Sequence, residues 1–499
     1  MSKLKENLYS ISIIILIMAA LFGISSRSFV DPDLWGHLRF GLDTIEAGHI
    51  IQEDPYSYLS LDQRWINHEW LAEVAFGFAW LISHVQGLVL LKTVVALLTT
   101  GMIYFFLVHR HVAPLMAGIL VFLAWFGIQP ALGTIRPHMF TILFTAVLFI
   151  IISSAEIGKY RWLWILPVVF ALWVNFHGGF LAGLAFLGIW SIIHLIFNSN
   201  KWPRIVPPVA LSFLAVLLNP YGLDLITFLI RTATVSRPEI IEWMPIGLTT
   251  NLGIIYLVLL TLAILGVVFS NQKKSLPLMV VLSVSAVSPL ISVRHLPLFA
   301  LAVVIFAGVH IANARNRLRS ENEAPQKKHP LVAALSLSIA VVFIIWGYTN
   351  LQHIQVVNES ITPVPIEAVS LLNESDIEGN LAVEFNWGEY VIWHLGPEVQ
   401  ISVDGRRETI YSDEIYRMNL DFVEGINDWD KLLDDHETHM ALVSRFRASR
   451  NLLILKDGWE LVYEDGTSAL FASSEWDGFN TLKNAQTSFS DLTANNYFP

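Results

Sequence analysis

Long apolar runs fill the first 350 positions, and short ones the rest. A helix needs about 20 apolar residues to cross a bilayer. Eleven stretches approach or reach that length: 8–26, 88–108, 113–132, 138–155, 162–176, 178–198, 204–219, 251–270, 275–292, 296–313 and 330–350. In lipid every backbone polar group must be satisfied within the segment, so such runs predict helices. The stretch 70–86 (WLAEVAFGFAWLISHVQ) is ambiguous, because it carries Glu73 and His84. Read as an amphipathic helix on the outer surface, it sends 88–108 inward and leaves every later basic cluster inside. These clusters are His109 to His111, Lys159 with Arg161, Lys201 with Arg204, Lys273 with Lys274, and the run from Arg315 to Lys328. Read as a span, it places all of them outside, against the tendency of basic residues to stay cytoplasmic. The pattern therefore predicts eleven spans, a cytoplasmic N-terminus and an extracytoplasmic C-terminus. Residues 8–26 read as a retained helix, not a cleaved signal peptide.

Beyond residue 350 the runs shrink to strand length: 381–385, 390–395, 399–405, 439–444, 459–465 and 468–473. Helical patterns at 365–374 and 427–436 lie between them. This alternation predicts a small α/β domain. The expected organisation is a membrane domain over 1–350, with a first outer loop at 27–87. An extracytoplasmic α/β domain follows over 351–480, and a loose polar tail over 481–499.

Composition sharpens this picture in one respect. The chain of 499 residues is 54% hydrophobic and 15% charged, against about 25% charged for soluble domains. The net charge of −11 is uneven: 26 of the 42 acids and only 9 of the 31 bases follow residue 352. An acidic tail argues against nucleic acid as a partner. There is no cysteine, which excludes disulfides and thiolate metal sites but identifies no compartment.

The topology sorts the polar motifs onto one face. The outer ends carry DPD (31–33), TIRPH (134–138), NFHGG (175–179), NPYG (219–222), EIIEW (239–243) and SVRH (292–295). Asp31 and Asp33 suit a general base, metal ligands, or both; equally, Asp-Pro-Asp is a turn and cap for a following helix. His37 lies four residues after Asp33, on the same face of such a helix. Arg39, His68 and Glu69 accompany them, and Glu69 is equally a cap for the surface helix. Arg136, His138, Arg294 and His295 are phosphate candidates, since an arginine fork donates two parallel hydrogen bonds; the alternative is anchoring to lipid headgroups. Asn175 and His177 precede Gly178-Gly179, which either admit a sugar or form a tight hairpin. Glu242 is either a second acid near the site or a solvated loop residue. Asp31, Asp33 and Glu242 are the candidate ligands if a metal is used, with magnesium or manganese suited to carboxylates. Trp35, Trp65 and Trp70 read as interface-belt residues.

A first outer loop opening DPDLWGHLRFG and closing WINHEWL resembles that of the bacterial integral-membrane glycosyltransferases of the GT-C superfamily. Relatives by architecture include protein O-mannosyltransferases, aminoarabinose transferases and oligosaccharyltransferases. The tail segments FNWGEYVIWHL (385–395) and SVDGRRE (402–408) look like the soluble domain of the same bacterial group. The sequence Asn386-Trp387-Gly388-Glu389-Tyr390 departs from the oligosaccharyltransferase WWDYG motif, so sequon binding is not carried over. The resemblance implies a GT-C-like fold, Asp31 and Asp33 as the acidic motif, and a polyprenyl-phosphate sugar as donor. The expected enzyme is an inverting transferase acting on a lipid, glycan or protein acceptor at the extracytoplasmic face, among membrane lipids. The alternatives are a lipid-linked glycan transporter, which needs polar groups deep within the spans, an O-antigen-type polymerase or ligase, and a non-catalytic scaffold. The scaffold reading predicts sensitivity around Trp387 and Asp404.

Overall fold

A computed structural model describes residues 2–197, 199–233, 241–318, 330–354 and 364–485. Most of the basic run after Leu318, the pair Glu239 and Ile240, and the end of the tail from 486 lie outside these residues. The chain divides into two compact units. One is formed by the described parts of 1–29 and 83–355, the other by 30–82 with the described parts of 356–499.

The first unit is helical. Among the described residues, helices long and apolar enough to cross a membrane are Trp70–His109, whose first part belongs to the second unit, Pro114–Leu132, His138–Glu156, Phe180–Phe197, Asn251–Phe269, Val293–Leu318 and Leu331–Asn350. Shorter apolar helices at Ile11–Ser26, Tyr160–Phe176 and Leu276–Leu290 match three further expected spans. The expected span 204–219 corresponds to the helix Trp202–Ala215, which carries Pro207 and Pro208 inside it. The helix Trp70–His109 is broken at Ser83 and His84, whose backbones leave the helical region. The pieces 70–82 and 85–109 are therefore separate helices. The first has 13 residues and is roughly 20 Å long, well short of a hydrocarbon core of about 30 Å.

The second unit contains a five-stranded sheet of order β2-β1-β3-β5-β4. Its strands are β1 (Gly379–Val383), β2 (Val399–Ile401), β3 (Met440–Ser444), β4 (Trp459–Glu464) and β5 (Ser468–Ser473). β1 runs parallel to β2 and β3, and β5 antiparallel to β3 and β4. Side chains alternate between faces. Leu381, Val383, Met440, Leu442 and Leu470 enter one apolar cluster; Ala382, Ala441, Val443, Ala469 and Phe471 enter the other. A central strand buried on both faces reads as a continuous apolar run, which is why these segments stood out. The run 390–395 is not the expected strand: it lies in the helix Gly388–Leu395. An apolar run of six cannot be assigned by period alone.

The segment 30–82 is built into this unit. The Tyr58 N–H donates to the Ile401 carbonyl at 3.2 Å, and the Ile401 N–H to the Tyr56 carbonyl at 3.0 Å, so the segment pairs with the outer edge of β2. The helix Asp33–Ala47 crosses the piece 70–82 at two glycines. A Cβ on Gly41 would come within 2.0 Å of the Glu73 carbonyl oxygen, and one on Gly77 within 2.7 Å of Ile45. Gly41→Ala is accordingly expected to destabilise this unit by about 1–3 kcal/mol or more, as forced overpacking does. Thermal unfolding followed by tryptophan fluorescence would register the loss, and an unchanged midpoint would contradict the crossing.

Candidate active site

The start of the helix Asp33–Ala47 is held by Asp31. The Asp33 N–H donates to Asp31 Oδ1 at 3.1 Å, and the Leu34 N–H to the Asp31 carbonyl at 3.1 Å. Asp31 is buried and acts as the turn residue. Pro32 occupies the position that needs no amide donor. Asp33 sits in the first turn of this helix.

Glu389 stands beside Asp33. Its Oε2 accepts the Gly36 N–H at 3.2 Å, one of the amides a helix leaves unpaired in its first turn. A Cβ on Gly36 would meet the Glu389 carboxyl at 2.4 Å; one on Gly405 would meet Glu389 Oε1 at 2.5 Å and Asp33 Oδ1 at 3.1 Å. The two glycines thus leave room for both carboxyls. Burial first, then the charges of Asp33 and Asp404, push the Glu389 carboxyl well above the usual carboxylate range, against the opposing pull of Arg406. Burial and the neighbouring acids thus favour the neutral form of the Glu389 carboxyl beside Asp33. Sequence reasoning missed Glu389: it adjoins a run read as a strand, and its partner lies more than 350 positions earlier.

One turn beyond Asp33, His37 faces two glutamates. Its Nδ1 is 3.1 Å from Glu73 and its Nε2 3.9 Å from Glu69. Asn67 Nδ2 donates to Glu73 Oε2 at 2.6 Å, and the Glu69 N–H donates to Asn67 Oδ1 at 3.1 Å. His68 lies 3.6 Å from Glu69. Burial alone would lower the His37 pKa, but the Glu73 hydrogen bond and the charges of Glu69, Glu73 and Asp33 raise it above its ordinary value. Among the described residues, His37, Glu69 and Glu73 bring ligand atoms within 4.8 Å of one another. One imidazole with two carboxylates suits manganese or zinc. Arg39 turns instead to Asp43 at 2.9 Å, which also accepts from the Tyr56 hydroxyl at 2.7 Å.

In the helical unit, Glu242 approaches two arginines: Arg136 Nη1 at 3.4 Å and Arg294 Nε at 3.9 Å. The Arg294 guanidinium lies 4.7 Å over the Trp243 ring. Ser292 Oγ donates to the Glu242 carbonyl at 3.0 Å, and the Val293 N–H to Met244 at 2.9 Å, fixing this loop to the arginine segment. Both contacts to Glu242 are long, its side chain is half exposed, and both guanidinia reach solvent.

The remaining candidates have structural partners. His177 Nδ1 accepts the Gly179 N–H at 2.9 Å and faces Thr141 Oγ1 at 2.9 Å; its ring is 6.4 Å from that of His138. Asn175 Nδ2 donates to the carbonyls of Ala171 at 2.8 Å and Leu218 at 2.9 Å. His295 Nδ1 is 3.1 Å from the Ser288 carbonyl. In the sheet-containing unit, Asp404 binds Arg406 and Tyr411, and Trp387 is buried in the core.

No family profile matches the sequence, and no curated protein matches it. Solved structures do. The structure of ArnT from Cupriavidus metallidurans bound to undecaprenyl phosphate superposes with a TM-score of 0.55 at 12% identity, covering 93% of this chain and 97% of that one. The arabinofuranosyltransferase AftD from mycobacteria superposes with a TM-score of 0.53 at 14% identity, covering 95% of this chain and 41% of that one. This chain therefore spans less than half the length of AftD. These similarities show a GT-C membrane fold.

Proposed function

We propose that this protein is an integral-membrane glycosyltransferase that moves a sugar from a polyprenyl-phosphate donor to an acceptor hydroxyl. The observation that carries the reading is the chain-long fold likeness to ArnT, whose structure holds undecaprenyl phosphate. The carboxyls gathered around Asp33 agree with it. Asp33 takes the acceptor's proton as general base, and Asp31 fixes the turn that presents it. The acceptor oxygen forms a bond to the anomeric carbon as the bond to phosphate oxygen breaks, and the configuration inverts. Arg136 and Arg294 receive the departing phosphate. A phosphate monoester carries more charge than a carboxylate and suits the arginine fork better, so it displaces Glu242 from its long contacts.

The protein crosses the membrane eleven times with its N-terminus inside, and its C-terminal domain works at the outer face. A lipid, glycan or protein supplies the hydroxyl. Where a divalent metal is used, His37, Glu69 and Glu73 would hold it and it would add positive charge beside the loop.

The test is transfer or donor hydrolysis by the purified chain in lipid, with a panel of radiolabelled polyprenyl-phosphate sugars. The expected result is turnover that the Asp31→Asn/Asp33→Asn double variant lacks. An EDTA arm decides whether metal is needed. Specific donor binding without turnover by the unaltered protein would overturn the reading in favour of a transporter.

A further inference from the structure

An apolar groove lies in the helical unit, lined by none of the proposed phosphate-binding residues. This groove of about 700 Å³ runs beside the piece 85–109, between it, the helix Ser2–Ser26 and the end of the helix His138–Glu156. Its walls are apolar side chains such as Met18, Leu98 and Phe105. One end is closed by His109, Arg110, Lys159 and Trp162. Arg136 and His138 lie at the other end of the helix His138–Glu156, whose 19 residues span roughly 28 Å.

The floor of the groove contains an unusual glycine. Several other glycines in these helices are kept by close packing: a Cβ on Gly118, Gly127, Gly183 or Gly266 would come within 2.4–2.8 Å of a neighbour, whereas one on Gly188 would make only ordinary contact at 3.6 Å. A Cβ on Gly101 meets nothing within 4 Å. Glycine inside a helix costs about 1 kcal/mol relative to alanine, and no protein neighbour requires it here. Gly101 lies nine residues before Arg110, or roughly 14 Å along the helix. That is close to half of a hydrocarbon core of about 30 Å, the depth of one leaflet.

The closed end is positive and uncommitted to acids. Among the described residues neither Arg110 nor Lys159 has a carboxylate partner. Lys159 Nζ donates to His109 Nε2 at 3.0 Å and lies 5.6 Å over the Trp162 ring. The nearby Glu156 carboxylate is taken by Trp190 Nε1 and His194 Nδ1, both at 2.8 Å. Lys201 and Arg204 extend the positive rim, lying 5.9 and 5.8 Å over the Tyr160 ring.

We propose that this groove binds one anionic phospholipid, with an acyl chain over Gly101 and the phosphate at Arg110 and Lys159. Its headgroup lies in the leaflet on the face marked by basic residues, opposite the leaflet of the proposed sugar donor. The site neither uses nor requires transferase activity.

The experiment is native mass spectrometry of the full purified chain, titrated separately with phosphatidylglycerol, phosphatidylcholine and undecaprenyl phosphate. Each cation near a net anionic headgroup contributes about a fivefold preference over a zwitterionic one. The first phosphatidylglycerol is therefore expected to bind at least fivefold more tightly than phosphatidylcholine. Arg110→Gln/Lys159→Gln should equalise the two lipids. Gly101→Phe should fill the groove and weaken both, leaving the cations in place. Equal binding of the two lipids by the unaltered protein would overturn the proposal, as would a phosphatidylglycerol preference that survives both variants. Displacement of phosphatidylglycerol by one equivalent of undecaprenyl phosphate, lost in Gly101→Phe, would make this a donor groove and overturn it too.

Discussion

Asp33→Asn is expected to lower transfer by about 10²–10⁴-fold, the range a positioned general base supplies, while the protein folds and still binds donor. Asn keeps the shape and can sit in the first turn, but it cannot accept the acceptor's proton. Asp31→Asn is expected to do much less. The Asp31 carboxyl is used to accept the Asp33 N–H, and an amide oxygen accepts that bond equally well. The two substitutions therefore separate a chemical role from a turn role within three residues. Rates measured under single-turnover conditions, with donor binding measured in parallel, would distinguish a lost base from a lost site. Full activity in both variants would remove the aspartates from catalysis. A severe loss in Asp31→Asn alone would exchange their roles.

The large divisions of this fold were legible because they rest on long, repeated signals. Among the described residues, seven of the eleven expected spans correspond to helices long and apolar enough to cross a membrane, and three more to shorter apolar helices. The break at Ser83 and His84 separates 70–82 from the helix that follows, close to the expected boundary of the stretch 70–86. Five of the six expected strands are strands. The exception, 390–395, is a helix buried along most of its length, where period carries no information. Long-range partners were the illegible part. Glu389 and Arg406 acquire their roles from residues more than 350 positions earlier, and no local pattern encodes such a pairing. Asn175 shows the converse. Its position before two glycines left a sugar contact and a tight hairpin equally open, and its amide donates to two backbone carbonyls, a use that sequence spacing does not reveal.

Arg406→Ala is expected to cost the sheet-containing unit about 3–5 kcal/mol, the usual penalty for removing one partner of a buried ion pair. Arg406 Nη1 donates to Asp54 at 2.6 Å, and Nη2 to Asp404 at 2.6 Å. Both aspartates are fully buried. The guanidinium also lies about 5 Å from the rings of Phe40, Tyr56 and Trp65. One cation thus neutralises a carboxylate of the first loop and another of the C-terminal domain, inside an aromatic box. Without it two charges stay buried with no counterion between them, and the box loses its contents. A unit of this size shifts by roughly 2–4 °C per kcal/mol, so the unfolding midpoint should fall by about 10 °C. Arg406→Lys keeps the charge but lacks the fork, and should recover only part of the loss. The informative control is Asp54→Asn/Arg406→Met/Asp404→Asn. Apolar or neutral replacement of a whole buried ion cluster is often tolerated, so the triple variant should melt well above Arg406→Ala. Additive losses in the triple variant would mean that the three residues act independently. If they act as one cluster, Arg406→Ala must also impair transfer, because the helix that presents Asp33 carries Phe40 and is held in this same unit.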